Sequence, residues 1–126
     1  MDDAVDLDDL EEDDSDRAWF RGEPFTGQAV ETYRNGVRAS LTSYVKGHEE
    51  GLQKIWREDG TLETESTLRR GNAVGAAFLW HPSGALAEET VFDDEGRPRT
   101  QRRWDETGRL VGEEDWTPLY DRDPRE

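Results

Sequence analysis

Chemistry needs titratable groups held close together, and this chain offers few that are not carboxylates. Its 126 residues include 31 Asp and Glu, 16 Lys and Arg, two His and no Cys. Without cysteine there is no thiolate nucleophile, disulfide or cysteine-ligated metal. His48 and His81 lie in different segments, each beside a predicted turn, and are expected as exposed loop residues without a partner. Adjacent carboxylates occur at Glu88/Glu89 and Glu113/Glu114. Neighbours along a strand point to opposite faces, which spoils an acid–base pair within one strand. Glu65, Glu89 and Glu113 recur every 24 residues and suggest an acidic ladder on the face opposite the tryptophans. Arg69, Arg70, Arg102 and Arg103 would balance it in part. No phosphate loop, metal-ligand spacing or nucleophile motif is present. The sequence therefore assigns no catalytic residue, no metal site and no cofactor.

What remains is charge. The formal net charge is -15, and residues 1–16 hold ten of the acidic residues and no basic one. The run "DLDDLEEDDSD" repels itself and reads as a disordered acidic arm over residues 1–17. Asp6, Asp8, Asp9, Glu11, Glu12, Asp13 and Asp14 are the candidates for steering a basic partner towards the chain. Nucleic acid and anionic membranes, being polyanions, would be repelled as direct ligands. The longest nearly apolar stretch, "AVGAAFLW" at 73–80, is too short to span a bilayer, and the expected location is the cytoplasm.

The elements that must position these groups come from a repeat. At a spacing of 24, Gly36, Gly60, Gly84 and Gly108 align, as do Trp56, Trp80 and Trp104, with Tyr33 one place out of step. Arg38, Leu62, Leu86 and Leu110 follow two residues after each glycine, and Tyr44, Leu68, Phe92 and Trp116 eight after it. A second glycine class, Gly27, Gly51 and Gly75, opens the units and is broken by Arg99 in the fourth. Gly47 and Gly71 close two units, and Gly96 arrives one residue late in the third. "RNG", "EDG" and "PSG" place a turn residue before a glycine free to take positive φ. Period-two alternation on either side makes each unit a hairpin, with Leu52, Trp56, Leu62 and Leu68 sharing one face of the second.

Only 22 residues are Leu, Ile, Val or Phe, too few for a thick aliphatic core. Stacked hairpins can instead bury one another's stripe. The expected fold is all-β: an elongated, twisted antiparallel sheet of about four stacked β-hairpin repeats, spanning 18–117 and followed by a flexible tail over 118–126. "RAWFRGEPF" at 17–25 would fold over the first edge through Trp19, Phe20 or Phe25, and "TPLYDRDPRE" would cap the last.

Units such as "GLQKIWREDGTLETESTLRRG" (51–71) and "GQAVETYRNGVRASLTSYVKG" (27–47) resemble the bacterial variant of MORN repeats. That pattern runs glycine, aromatic, turn with Asn-Gly or an acidic residue, small apolar residue, glutamate, aromatic, glycine. Thr32, Leu68 and Arg99 depart from it. The resemblance implies a scaffold of β-hairpins and, in many small bacterial members, an antitoxin or immunity partner of a secreted toxin. The expectation is thus a protein-binding immunity protein that occludes the active site of a basic, nucleic-acid-targeting toxin. The acidic arm would steer that partner, and Trp56, Trp80 and Trp104, if left exposed, would anchor it. Two other readings stay open. One is an adaptor scaffold, and the other a small enzyme or accessory factor that holds a peptide or small molecule on the concave face.

Overall fold

The computed structural model describes residues 4–120, apart from the side chain of Tyr120. Twelve strands carry the fold. β1 (Val5–Asp6), β2 (Glu11–Glu12), β3 (Ala18–Phe20) and β4 (Glu23–Pro24) are short. β5 (Gly27–Thr32), β6 (Arg38–Val45), β7 (His48–Trp56) and β8 (Leu62–Arg69) follow. β9 (Asn72–Trp80), β10 (Leu86–Phe92), β11 (Pro98–Trp104) and β12 (Leu110–Asp115) complete the series. β5 to β12 form an antiparallel meander in chain order, and β1 adds to the β5 edge in parallel, giving nine strands in one open, elongated sheet. The all-β hairpin-repeat fold expected from the sequence is the fold observed. No helix among the described residues is long and apolar enough to cross a membrane.

Two kinds of turn alternate along the sheet. At the glycines of the main series the chain makes a tight loop in which Arg57 N bonds Thr61 O at 2.8 Å and Gly60 N bonds Arg57 O at 2.9 Å. Gly60 holds φ at +91°, the left-handed region glycine enters freely. Tyr33–Val37, His81–Ala85 and Asp105–Arg109 repeat the same pair of bonds. At the other end of the strands, Lys46-Gly47 and Arg70-Gly71 each carry positive φ at both residues, the two-residue hairpin turn. The next turn at this end is longer, with Asp93 N bonded to Arg97 O at 2.9 Å, which is why Gly96 comes late.

The tight loops also explain Tyr33. It occupies the position of Arg57 and His81, and Thr32 stands where the tryptophans do. Each of these side chains reaches the backbone of the next unit. Tyr33 Oη donates to Trp56 O at 2.7 Å, and an Arg57 guanidinium N–H to Trp80 O at 2.6 Å. His81 Nε2 lies 2.8 Å from Trp104 O and donates to it, since a carbonyl only accepts. His81 is therefore a bonded, half-buried strut between hairpins, not the unpartnered loop residue expected.

Each hairpin carries a one-residue register shift beside its tight loop, between Ile55 and Trp56, Glu31 and Thr32, Leu86 and Glu88, and Arg103 and Trp104. A shift of one residue sends the returning strand's side chains to the other face. The single stripe expected in each unit is therefore split. Trp56, Trp80 and Trp104 lie on one face, here the back, and Phe78 packs on Trp80 with ring centroids 5.7 Å apart. Tyr44, Leu68 and Phe92 lie on the front. Glu65, Glu89 and Glu113 also lie on the back, in the row Lys54–Glu65–Phe78–Glu89–Arg102–Glu113. They share the tryptophan face instead of opposing it, and Arg102 Nε meets Glu113 Oε2 at 2.9 Å.

The segment expected as a mobile arm is paired and packed from its first described residues. Val5 pairs with Ala29, and Val5, Leu7 and Leu10 pack against a small core of Ala18, Phe25, Ala29 and Tyr44. Charge counting overlooked these three apolar residues and a turn hidden in the acidic run. Asp13–Arg17 closes like Asp93–Arg97, with Asp16 at φ +61° where the later turn has Gly96. Aspartate tolerates that region better than most residues, because its short side chain can bond the local backbone. In the tail, Thr117–Tyr120 forms one helical turn, α1. The rest of that expected flexible segment, including Pro124, lies outside the described residues.

Candidate functional site

A cavity of about 370 Å³ opens where the N-terminal segment crosses the front of β5, β6 and β7. Strand alternation builds its floor. Glu31 pairs with Ser40 and Ser40 with Ile55, Ala29 with Thr42 and Thr42 with Gln53, Gly27 with Tyr44 and Tyr44 with Glu49. Paired residues of an antiparallel ladder share a face, so these side chains project from the sheet as one array. Leu7, Leu10, Glu12 and Ala18 supply the opposite wall.

Backbone hydrogen bonds hold that wall in place. Ala18 N bonds Gly47 O at 2.8 Å, Gly47 N bonds Phe25 O at 2.7 Å, and Phe25 N bonds Ala18 O at 3.0 Å. Gly47 must be glycine twice over: its φ is +87°, and a Cβ there would sit 2.7 Å from Ala18 O. Phe25 then packs on Tyr44, with ring centroids 5.6 Å apart, and on Phe20 at 5.8 Å.

Three carboxylates border the cavity, Glu12, Glu31 and Glu49. Ser40 Oγ donates to Glu31 Oε1 at 3.2 Å, and Gln53 Nε2 to Thr42 Oγ1 at 3.3 Å. None of the ion pairs among the described residues involves these three glutamates. Tyr44 is only 7 % exposed as a residue, and its hydroxyl, which no described group hydrogen-bonds, remains open to solvent. Burial, followed by the charges of Glu49, Glu12 and Glu31, pushes that phenol up to about 12. Burial and then the charge of Glu12 also raise the Glu49 carboxyl. Both groups are thus held in an environment that disfavours more negative charge. No three His, Asp or Glu side chains among the described residues are disposed to hold a metal ion. Without an activated nucleophile or a histidine in it, the cavity can hold a cation or a hydrogen-bond donor.

The sequence-derived candidates fall in three places. Glu12 alone of the acidic set lines the cavity. Asp6 caps a short 3-10 turn, accepting from Asp8 N at 2.9 Å, while Asp8, Asp9, Glu11 and Asp14 are exposed beside it. Asp13 is taken up by structure. Its Oδ2 accepts from Trp19 Nε1 at 2.9 Å, and its Oδ1 from Ser15 N at 2.9 Å and Arg17 N at 3.0 Å. The indole bond first, then the Arg17 amide, hold its carboxyl far below the usual range. Trp56, Trp80 and Trp104 are half-buried on the back face, away from the cavity. Sequence reasoning missed Glu31, Thr42, Tyr44, Glu49 and Gln53. The alternation of Ser40, Thr42 and Tyr44 was a usable signal, because three hydroxyls on one strand face do not suit an apolar core.

No family model and no curated protein matches the chain. Three solved structures align with most of its length. TarM aligns over 88 % of this chain at 9 % identity, with a TM-score of 0.49. The accessory secretory protein 1,2 and 3 of Streptococcus pneumoniae aligns over 86 % at 14 % identity, with a TM-score of 0.44. The GtfA/B complex bound to UDP and GlcNAc aligns over 91 % at 11 % identity, with a TM-score of 0.36. The chain spans only 20 %, 21 % and 27 % of those three chains.

Proposed function

We propose that this chain is a protein-binding module of the toxin-neutralising, MORN-repeat type, which captures a basic partner and covers its nucleic-acid-binding cleft. The observation that supports this best is the gathering of Glu12, Glu31 and Glu49 around one cavity, none of them in an ion pair among the described residues. In a chain of net charge -15, such a surface speeds encounter with a positive protein and rejects polyanions. Asp8, Asp9, Glu11 and Asp14, exposed on the segment that forms the cavity wall, extend the same field outwards.

The test is co-production with any basic, toxin-like protein found encoded beside it in its host. Protection of growth and a complex that dissociates as salt rises are the expected results. A partner bound with its toxicity intact would favour an adaptor scaffold, and no complex at low salt would overturn the reading.

A further inference from the structure

The cavity is more specific than an acidic surface. Its lining combines the aliphatic side chains of Leu7, Leu10 and Ile55 with carboxylates and hydroxyls. That layout suits a side chain with an apolar stem and a compact charged head. We infer that the cavity between the N-terminal segment and β5–β7 is a receptor for a primary ammonium group, entered by a lysine side chain of the basic partner. The inference rests on the partner-capture reading above.

Three features select lysine. Tyr44, a residue only 7 % exposed, lines the cavity with a hydroxyl that takes no hydrogen bond from a described group and stands open to solvent there, where a three-donor ammonium would donate to its oxygen. Glu12 comes from the wall, Glu31 from β5 and Glu49 from β7, so the carboxylates border the cavity from three separate elements. Arginine favours a bidentate carboxylate or an open aromatic face. Here the Tyr44 ring is already packed against Phe25. The roughly 370 Å³ of space exceeds what a bare ion fills and leaves room for the four-carbon stem. The acidic rim beyond the cavity, Asp8, Asp9 and Glu11, argues for a lysine carried on a larger basic surface over a free amine.

The experiment uses the full chain, labelled at Leu, Ile and Val methyls, and titrates three probes by NMR. They are a blocked Gly-Lys-Gly peptide, the same peptide with norleucine in place of lysine, and 1,5-diaminopentane. The lysine peptide should give saturable shifts at Leu7, Leu10 and Ile55, while the norleucine peptide gives none. Glu49→Gln and Tyr44→Phe should each weaken it by about tenfold, the loss expected for one buried charge-assisted contact. Glu31→Gln, at the more open side, gives a second variant should either core change disturb the fold. Tighter binding of the diamine than of the lysine peptide would overturn the lysine assignment. Equal binding of the norleucine peptide, or shifts confined to other surfaces, would overturn the ammonium site altogether. Growth protection by a Glu49→Gln/Glu31→Gln chain alongside a failed titration would remove the ammonium site and leave partner capture standing. Working titrations without any partner complex would do the reverse.

Discussion

The first three long strands and the last five are built from the same repeat but live in different surroundings. β5–β7 lie under the N-terminal segment, and nearly every buried residue is there: Ala18, Phe25, Ala29, Leu41, Thr42 and Tyr44. From β8 onwards only Leu68 and Thr90 are buried among the described residues, and Leu110 and Val111 at the last edge stand 46 % and 59 % exposed. One sheet therefore works as a two-layer domain at one end and as a single layer at the other. Repetition supplies hairpins, but a core and a cavity appear only where a non-repeated segment covers them. The single layer is held by ladder hydrogen bonds, cross-strand pairs and the struts that join neighbouring loops.

Substitutions that remove the cover should produce the largest asymmetry. Gly47→Val forces a β-branched residue to positive φ and drives its Cβ into the Ala18 backbone, so a loss of about 3–4 kcal/mol is expected in urea unfolding. Gly84→Val has the same φ problem, at +94°, but meets nothing within 4 Å, and should cost about 1–2 kcal/mol. Equal losses at both sites would mean that the cover contributes nothing.

Core deletion sharpens the same contrast. Phe25→Ala removes a buried ring from Tyr44 and Phe20 and should cost about 3 kcal/mol, whereas Phe92→Ala, half-buried on the open layer, should cost about half as much. Comparable values would show that the C-terminal layer is packed by something other than its own side chains.

Acid should pull the two regions in opposite directions. Burial raises the Asp93 carboxyl, but the Arg97 amide and guanidinium and the Glu95 amide outweigh it and hold the group at about 2. A depressed folded pKa means stability present above the ordinary 3.8 and lost as pH falls towards 2. Glu49 is raised by burial and then by Glu12, so its protonation favours the fold, and that contribution is lost as pH rises through its raised value. Unfolding curves from pH 2 to 7 should therefore flatten at the acid end in Asp93→Asn. Glu49→Gln should be more stable than the parent at pH 7 while binding the lysine probe less well. A Glu49→Gln chain less stable at neutral pH would contradict the electrostatic account of the cavity.

The smallest effect concerns the two-residue turns. Arg70 sits at φ +50°, a region that asparagine tolerates better. Arg70→Asn should raise stability by about 0.5 kcal/mol, read as a shift in the urea midpoint at constant slope.

Much of this was written into the chain. The glycines at 36, 60, 84 and 108 needed positive φ, and all four have it. The face assignment did not survive, because parity was carried through each loop as if the strands paired without a shift, and one extra residue per hairpin reverses it. The acidic segment misled for a different reason: its charge hid Val5, Leu7 and Leu10, and Asp16 concealed a turn usually marked by glycine. Glu12 alone among the steering candidates reached the cavity, since the other walls come from strands whose individual residues look ordinary.

Local rules thus determined the repeat, the hairpins and their loops, because backbone sterics at glycine and period-two patterning act within a few residues. Tertiary structure decided which face each side chain occupies, which strands the N-terminal segment covers, and that Glu12, Glu31, Glu49 and Tyr44 share one space. Those outcomes depend on register and on a segment folding back over strands 20 to 40 residues away. Contacts over such separations follow from how the whole chain packs, and no short window of sequence contains them.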